Sequence, residues 1–205
     1  MNSRYDIEGD QGAFEPGSGD QVLRNKLGVT DCEEMDAVEL LVLEKLYQAV
    51  LVEDLPDRRL RVADLKKWHQ RWLGNVYGWA GQERFVNRGK GDGQWAAAAQ
   101  VPRLLSEFER DCLTRFTPCH DLDHEALAEA IAVTHVEFIL IHPFREGNGR
   151  LSRLLADVMA VQAGREPLDY SAWDADKQVY FKAIHAGMDR NYTPMQALVA
   201  LACEG

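Results

Sequence analysis

His142-Pro143-Phe144-Arg145-Glu146-Gly147-Asn148-Gly149-Arg150-Leu151-Ser152-Arg153 is the stretch around which the chain is organised. It holds a titratable imidazole, a carboxylate, an amide between two glycines, and three arginines. Apolar runs flank it, Ala132 to Ile141 and Leu151 to Val161, each with the character of a buried helix. Pro143 denies His142 the helical region, so the preceding helix is expected to end there. Gly147 and Gly149 permit positive φ and close backbone approach by a ligand. If Arg150 opens the next helix, the unpaired N–H groups of its first turn converge on a spot suited to an anion. Arg150 and Arg153 share a helix face and can aim at the same anion, for which a polyphosphate is well matched. Glu146 fits beside that anion if it holds Mg²⁺. His142 is then placed to take a proton from an attacking hydroxyl. Taken singly these residues read as a helix cap, a turn and a solvated face. Their contiguity between two buried helices points instead to a phosphate-binding turn with a general base beside it.

Outward from this turn the pattern is helical. Asp121 or Asp123 is expected to cap the central helix that runs to about Ile141, and Leu151 to Ala163 forms the helix after the turn, stopping at Gly164. Ser171 or Asp174 caps a helix through about Gly187, and Thr193-Pro194 opens a last one with Leu198, Val199, Leu201 and Ala202 inward. Upstream, a helix through Cys112 starts near Gln100, because Pro102 belongs in a first turn. Val62 to about Tyr77 carries Leu65, Trp68, Trp72, Leu73 and Val76 on one stripe, and a helix capped by Thr30 or Asp31 buries Met35, Val38, Leu41, Val42 and Leu46. A short segment, Val22 to Leu27, ends at Gly28 as a helix stop, and residues 1–19 form an irregular arm on the surface. Strands are expected in one place: Glu83 to Asn87 alternates polar and apolar, Gly89-Lys90-Gly91-Asp92-Gly93 turns the chain, and Gln94-Trp95 leads back. Arms so short make a mobile flap rather than a sheet. The expected fold is mainly α, a single domain over 1–205 with about seven helices around a helix–motif–helix core and one short β-hairpin flap.

The 33 acidic and 23 basic residues of the 205-residue chain give a net charge of −10, which disfavours nucleic acid and anionic membrane as partners. No apolar run is long enough to span a bilayer, and Asp6, Glu8, Asp10, Glu15 and Asp20 near the start argue against an export signal. Cys32, Cys112, Cys119 and Cys203 form no CxxC pair and read as reduced core thiols, so the expected compartment is the cytoplasm. His135, seven residues before His142, reads as a packed core histidine.

His142-x-Phe144-x-Glu146-Gly147-Asn148-Gly149-Arg150-x-x-Arg153 resembles, at every defined position, the signature of the Fic domain family. Val22-Leu23-Arg24-Asn25-Lys26-Leu27-Gly28, Val76-Tyr77-x-Trp79-Ala80-Gly81-Gln82, Asn87-x-x-Lys90-Gly91 and Ala163-Gly164…Leu168-Asp169 extend the resemblance over roughly residues 20–200. It implies a protein adenylyltransferase, moving AMP from the co-substrate ATP to a Ser, Thr or Tyr hydroxyl of a target protein. By the same resemblance His142 is the general base, Glu146 the Mg²⁺ ligand and Phe144 a core anchor. Gly147, Asn148 and Gly149 hold the α- and β-phosphates, Arg150 contacts the β-phosphate and Arg153 the γ-phosphate. The flap, with Asn87, Lys90, Gly91, Gly93 and Trp95, aligns the target's extended segment; Gly93-Gln94-Trp95 departs there from the Gly-Phe-x-Phe run of many members. The family's inhibitory (Ser/Thr)-x-x-x-Glu-(Gly/Asn) element is matched fully neither by Thr30…Glu34 nor by Glu204-Gly205. That favours a separate antitoxin-like inhibitor, the chain being the toxin half of such a pair, with nothing in the chain assigned to neutralise Arg153. The alternatives are a nucleotide-binding interaction module without turnover, and transfer from UTP, GTP or CDP-choline.

Overall fold

The computed structural model describes residues 10–87 and 95–204. The centre is α5 (His124–Ile141), whose Ala130, Ile131, Ala132, Val136 and Phe138 are wholly buried. Asp123 caps it by accepting a hydrogen bond from the Ala126 N–H at 2.9 Å. α5 packs against α6 (Asn148–Gln162) on one side and α9 (Thr193–Ala202) on another, the order expected of near-all-round apolar helices. α1 (Cys32–Tyr47) packs on α2 (Val62–Leu73) and continues as a π-helical segment, Gln48–Glu53. α3 (Val101–Phe108) follows a 3₁₀ turn at Ala98–Gln100 with Pro102 in its first turn, then runs through a second π segment, Glu109–Leu113, into the short α4 (Thr114–Phe116). One hydrophobic cluster extends from Val22 to Ala202 and draws on the long helices throughout. Each large side chain buried in it contributes about 1.5–3 kcal/mol.

Several local expectations are corrected. Val22 to Leu27 is not helical: Leu23 forms an isolated antiparallel bridge with Phe14. Asn25 organises the bend, its Oδ1 accepting from the Leu27 and Val29 N–H groups. Six residues are too few to nucleate a helix against such side-chain competition. α2 ends at Leu73, before Gly74, rather than near Tyr77. The segment after Ser171 is two helices, α7 (Ser171–Ala175) and α8 (Lys177–Ala186), broken at Asp176, whose carboxylate caps α8. Leu41 and Leu201 are exposed, and the buried stripe of α1 is Met35, Glu39, Leu43 and Leu46, so a carboxylate takes a core position. Of the cysteines, Cys112 and Cys119 are buried, Cys203 is partly buried and Cys32 is exposed.

The expected flap differs most. Glu83–Asn87 and Trp95–Ala97 contain no strand, while the turn with Lys90, Gly91 and Gly93 lies outside the described residues. Among the described residues, the main chain of each flank pairs with the end of the central helix and its turn: the Arg84 N–H donates to the Pro143 carbonyl at 2.8 Å and the Ala96 N–H to that of Leu140 at 3.2 Å. The expected alternation is inverted as well, since Arg84 is 2% exposed and Phe85 54%. The N-terminal arm also reaches inward. Gln11 is buried, accepts from the Phe85 N–H at 3.0 Å, donates to the Glu83 carbonyl at 3.1 Å, and its own carbonyl accepts from Arg145 Nε at 2.6 Å.

Candidate active site

α5 ends at His142, whose N–H still donates to the Phe138 carbonyl at 3.0 Å while its backbone turns left-handed at φ 50°, ψ 60°. A non-glycine residue adopts that region only when its surroundings hold it there, at a cost of about 1 kcal/mol or more. Arg84 is the holder. Its Nε donates to the His142 carbonyl at 2.5 Å, Nη1 to Val86 at 3.0 Å, and Nη2 to the carbonyls of Ala96 and, at 3.3 Å, Ile141. A single buried guanidinium thus ties His142 to both flanks of the expected flap. On its open side the imidazole is covered by Trp95, stacked at 4.3 Å and 22°.

The turn between α5 and α6 is shaped from within. Phe144 is buried and stacks on His69 at 4.0 Å. His69 Nδ1 accepts from the Gly81 N–H at 2.7 Å, so the proton sits on Nε2, which faces the Glu146 carbonyl at 3.1 Å. Burial pushes the His69 pKa down to about 4, which keeps the ring neutral in this role. Asn148 is also turned inward. Its Oδ1 accepts from the Phe144 N–H at 2.9 Å and its Nδ2 donates to the Phe144 carbonyl at 2.8 Å. The side chain thus braces the turn, and the backbone N–H of Asn148 lies in the first turn of α6.

α6 begins at Asn148 rather than Arg150, with Gly147 as N-cap at φ 79°. A Cβ at Gly147 would meet Trp72 Cζ3 at 2.6 Å, so glycine is required there for both backbone and space. Gly149 has no positive φ, and a Cβ on it would meet nothing within 4 Å. The open space in front of it is the mouth of a cleft of about 480 Å³ lined by Trp95, His142, Glu146, Gly147, Gly149, Arg150 and Arg153. Trp173, Tyr180 and Phe181 supply an aromatic wall, with Lys177 and Asp174 at the rim. A larger groove of about 660 Å³ between α1 and the end of α6 is lined mainly by apolar side chains such as Leu40, Leu43 and Val161 and contains no histidine.

Both arginines already have carboxylate partners within the chain. Arg150 Nη2 lies 2.5 Å from Glu39, and Arg153 donates to Asp174 at 2.6 and 3.1 Å. The second pair is an exposed ion pair outside the inhibitory motif sought in the sequence. Arg153 also lies 4.7 Å over the Tyr170 ring. Glu146 Oε1 accepts from the Gly147 N–H at 3.0 Å and is 4.0 Å from Arg150 Nη2. His135 packs as a core histidine, with Nε2 at 2.8 Å from the Tyr180 hydroxyl. The structure therefore gathers His142, Trp95, Glu146, Gly147, Gly149, Arg150 and Arg153 around one cleft. Asn87 instead braces the flank behind it, its Oδ1 accepting from the Ala98 N–H at 2.8 Å.

Sequence reasoning missed Arg84, His69 and Glu39. Arg84 sits in a run that reads as a solvated strand edge, and Glu39 looks like one more acid of an acidic helix. His69 carried a usable signal, a histidine inside the Trp68–Trp72 stripe of a helix with its partner glycine at Gly81.

Comparison with known proteins agrees with this geometry. The sequence model of the Fic/DOC family matches residues 59–160. A probable protein adenylyltransferase of Sinorhizobium fredii, y4lH, is 31% identical over 148 residues, which is 72% of this chain and 75% of the relative. Among solved structures, the BepC effector of Bartonella tribocorum with bound AMPPNP superposes with a TM-score of 0.77 at 24% identity, over 94% of this chain and 96% of that one. A Fic domain of Bartonella quintana with bound ADP gives 0.77 at 23% identity, over 94% of each chain. The motif turn between two buried helices, the mainly helical fold around it and these likenesses together make the chain a member of the Fic/DOC family.

Proposed function

We propose that the chain is a protein adenylyltransferase that moves AMP from ATP to a Ser, Thr or Tyr hydroxyl of a target protein. The single observation that carries this reading is the convergence, in one cleft, of His142, the first turn of α6, Arg150 and Arg153. The polyphosphate lies across the N–H groups of residues 147–149, where the helix N-terminus favours negative charge. Arg150 and Arg153 take its β and γ groups, and the aromatic wall of Trp173 and Tyr180 offers a flat apolar face to the base. The target hydroxyl gives its proton to His142 while its oxygen attacks the α-phosphorus. The bond from that phosphorus to the bridging oxygen breaks, and pyrophosphate leaves. Trp95 and Arg84 keep the imidazole from turning away.

Glu146 is the carboxylate at the cleft suited to Mg²⁺, and among the described residues no cluster of three metal-ligating side chains exists. A single carboxylate is enough where a bound polyphosphate shares the ion, so Glu146 would hold Mg²⁺ together with the nucleotide. Such an ion supplies charge neutralisation on the phosphates. The target's segment runs along the flap between Asn87 and Trp95, pairing by main chain as an added strand does. Assignment to a toxin–antitoxin-like pair, with a separate inhibitory protein, is part of the same reading. A cytoplasmic location is the accompanying reading; no described helix is long and apolar enough to cross a membrane.

The test is transfer from ATP labelled in turn at the α- and γ-phosphates, with a lysate as source of target. Label from the α position alone is expected on protein, reduced at least a hundredfold in a folded His142→Ala variant. Transfer of the γ label refutes the reading. Nucleotide binding that is unchanged in His142→Ala, with no transfer by wild type, would identify a binding module. The mass added to the target distinguishes AMP from the UTP-, GTP- and CDP-choline-derived groups.

A further inference from the structure

We infer that Glu39 is a positioning residue for Arg150, and that through it the first helix becomes part of the nucleotide site. The inference rests on the functional reading above. Glu39 occupies a core position of α1 between Met35 and Leu43, where a carboxylate is strongly disfavoured unless paired. Both of its oxygens are used. Oε1 accepts from the Tyr77 hydroxyl at 2.6 Å and Oε2 from Arg150 Nη2 at 2.5 Å, while the Glu39 carbonyl accepts from Trp72 Nε1 at 2.9 Å. Trp72 is also the ring under Arg150, 4.8 Å from the guanidinium carbon. The arginine is therefore held at one edge by an ion pair and from below by an aromatic face.

The held edge is a single nitrogen. Glu39 and the more distant Glu146 both approach Nη2, and among the described residues no hydrogen bond uses Nη1 or Nε. Arg150 lines the cleft on one side and a smaller pocket of about 260 Å³ beside α1 on the other. Fixing one edge removes much of the rotamer freedom of a long side chain during folding, so less is lost when an anion binds.

The two arginines differ in how firmly they are held. The side chain of Asp174, the partner of Arg153, is 56% exposed, and that of Glu39 is 4% exposed. An arriving polyphosphate can displace Asp174 into water. It cannot displace Glu39 without leaving a buried carboxylate one partner short, so Glu39 stays and orients Arg150 for the incoming phosphate.

The experiment is a double-mutant cycle on the full chain with Glu39→Gln, Arg150→Ala and both together. Calorimetric titration with ATP and Mg²⁺ measures binding, and thermal unfolding checks the fold. Glu39→Gln keeps the shape and an acceptor for Tyr77, and is expected to weaken ATP binding about tenfold, as for one aligned charge-assisted hydrogen bond. In the Arg150→Ala background the same change is expected to have no further effect. Tyr77→Phe, a milder change, is expected to act in the same direction and also to vanish without Arg150. Unchanged or tighter binding in Glu39→Gln would overturn the inference by showing that the carboxylate is idle or competes with the phosphate. A loss that persists undiminished in Arg150→Ala would overturn it by showing a general structural role. Wild type that binds no ATP would overturn the functional reading itself, and this inference with it.

Discussion

The same substitution made two residues apart, Gly147→Ala and Gly149→Ala, is expected to change stability in opposite directions. At Gly147 the backbone has φ 79°, and an added Cβ would stand 2.6 and 2.9 Å from two carbons of the buried Trp72 ring. The left-handed conformation costs an alanine about 1–2 kcal/mol. Overpacking against a rigid indole costs a further 1–3 kcal/mol, which makes the expected loss about 2–5 kcal/mol. Gly149 has ordinary helical geometry, and its Cβ would meet nothing within 4 Å. Alanine there restricts the unfolded chain and stabilises by about 0.5 kcal/mol, the low end for a first-turn position. In a domain of this size that raises Tm by about 1–2 °C. Both variants are nevertheless expected to lose nucleotide affinity, Gly149→Ala because its methyl occupies the space where phosphate approaches the N–H groups. Urea unfolding at pH 7 and calorimetric titration with ATP and Mg²⁺ on the same preparations measure both effects. A destabilised Gly149→Ala refutes the helix start at Asn148. A Gly149→Ala that is stabilised and binds ATP as wild type does removes the phosphate from the first turn of α6.

Three further outcomes follow from other parts of the site. Asp157 accepts from the Leu168 N–H and the Tyr170 and Tyr47 hydroxyls, yet burial pushes its pKa up to about 6. A raised carboxyl pKa means that the unfolded chain releases this proton first, so the group's share of stability falls as pH rises from about 4 to about 6, by about 3 kcal/mol in all. Urea titrations across that range should show Asp157→Asn gaining on wild type as pH rises, and parallel curves would refute the assignment. Arg84→Met strips the donors from the carbonyls of His142, Ile141, Val86 and Ala96 and is expected to lose about 3–5 kcal/mol by urea unfolding; a loss under 1 kcal/mol would show that those carbonyls are satisfied otherwise. Asp174→Asn releases Arg153 from an exposed pair, so stability should change by less than about 1 kcal/mol while calorimetric ATP affinity rises several-fold. Weaker ATP binding in that variant would mean that Asp174 assists rather than competes.

The motif turn and the helices that carry it were legible in the sequence because their signals are local. Pro143 after His142, the apolar character of α5 and α6, Asp123 as a cap and Pro102 in a first turn each act within a few residues of themselves. The resemblance to Fic domains rests chiefly on eight defined positions within residues 142–153 and needed no tertiary information. Local signals failed where distant groups compete for the same atoms. Glu83–Asn87 alternates like a strand, but the carbonyls at the end of α5 claim the Arg84 guanidinium and turn the alternation inside out. The inward turn of the Asn148 side chain, with both of its polar atoms on Phe144, likewise shows only once the turn is packed.

A mainly helical chain, the end of its central helix at His142 and the residue types that meet in the turn follow from neighbours along the chain, because backbone sterics and hydrophobic periodicity act locally. What each charged group of that turn answers to depends on how the helices pack. Arg150 is met by Glu39, 111 residues away, Arg153 by Asp174, and the carbonyl of His142 by Arg84. Hydrogen bonds and ion pairs act over about 3 Å of space whatever the separation in sequence, so these partners become visible only when the helices are packed.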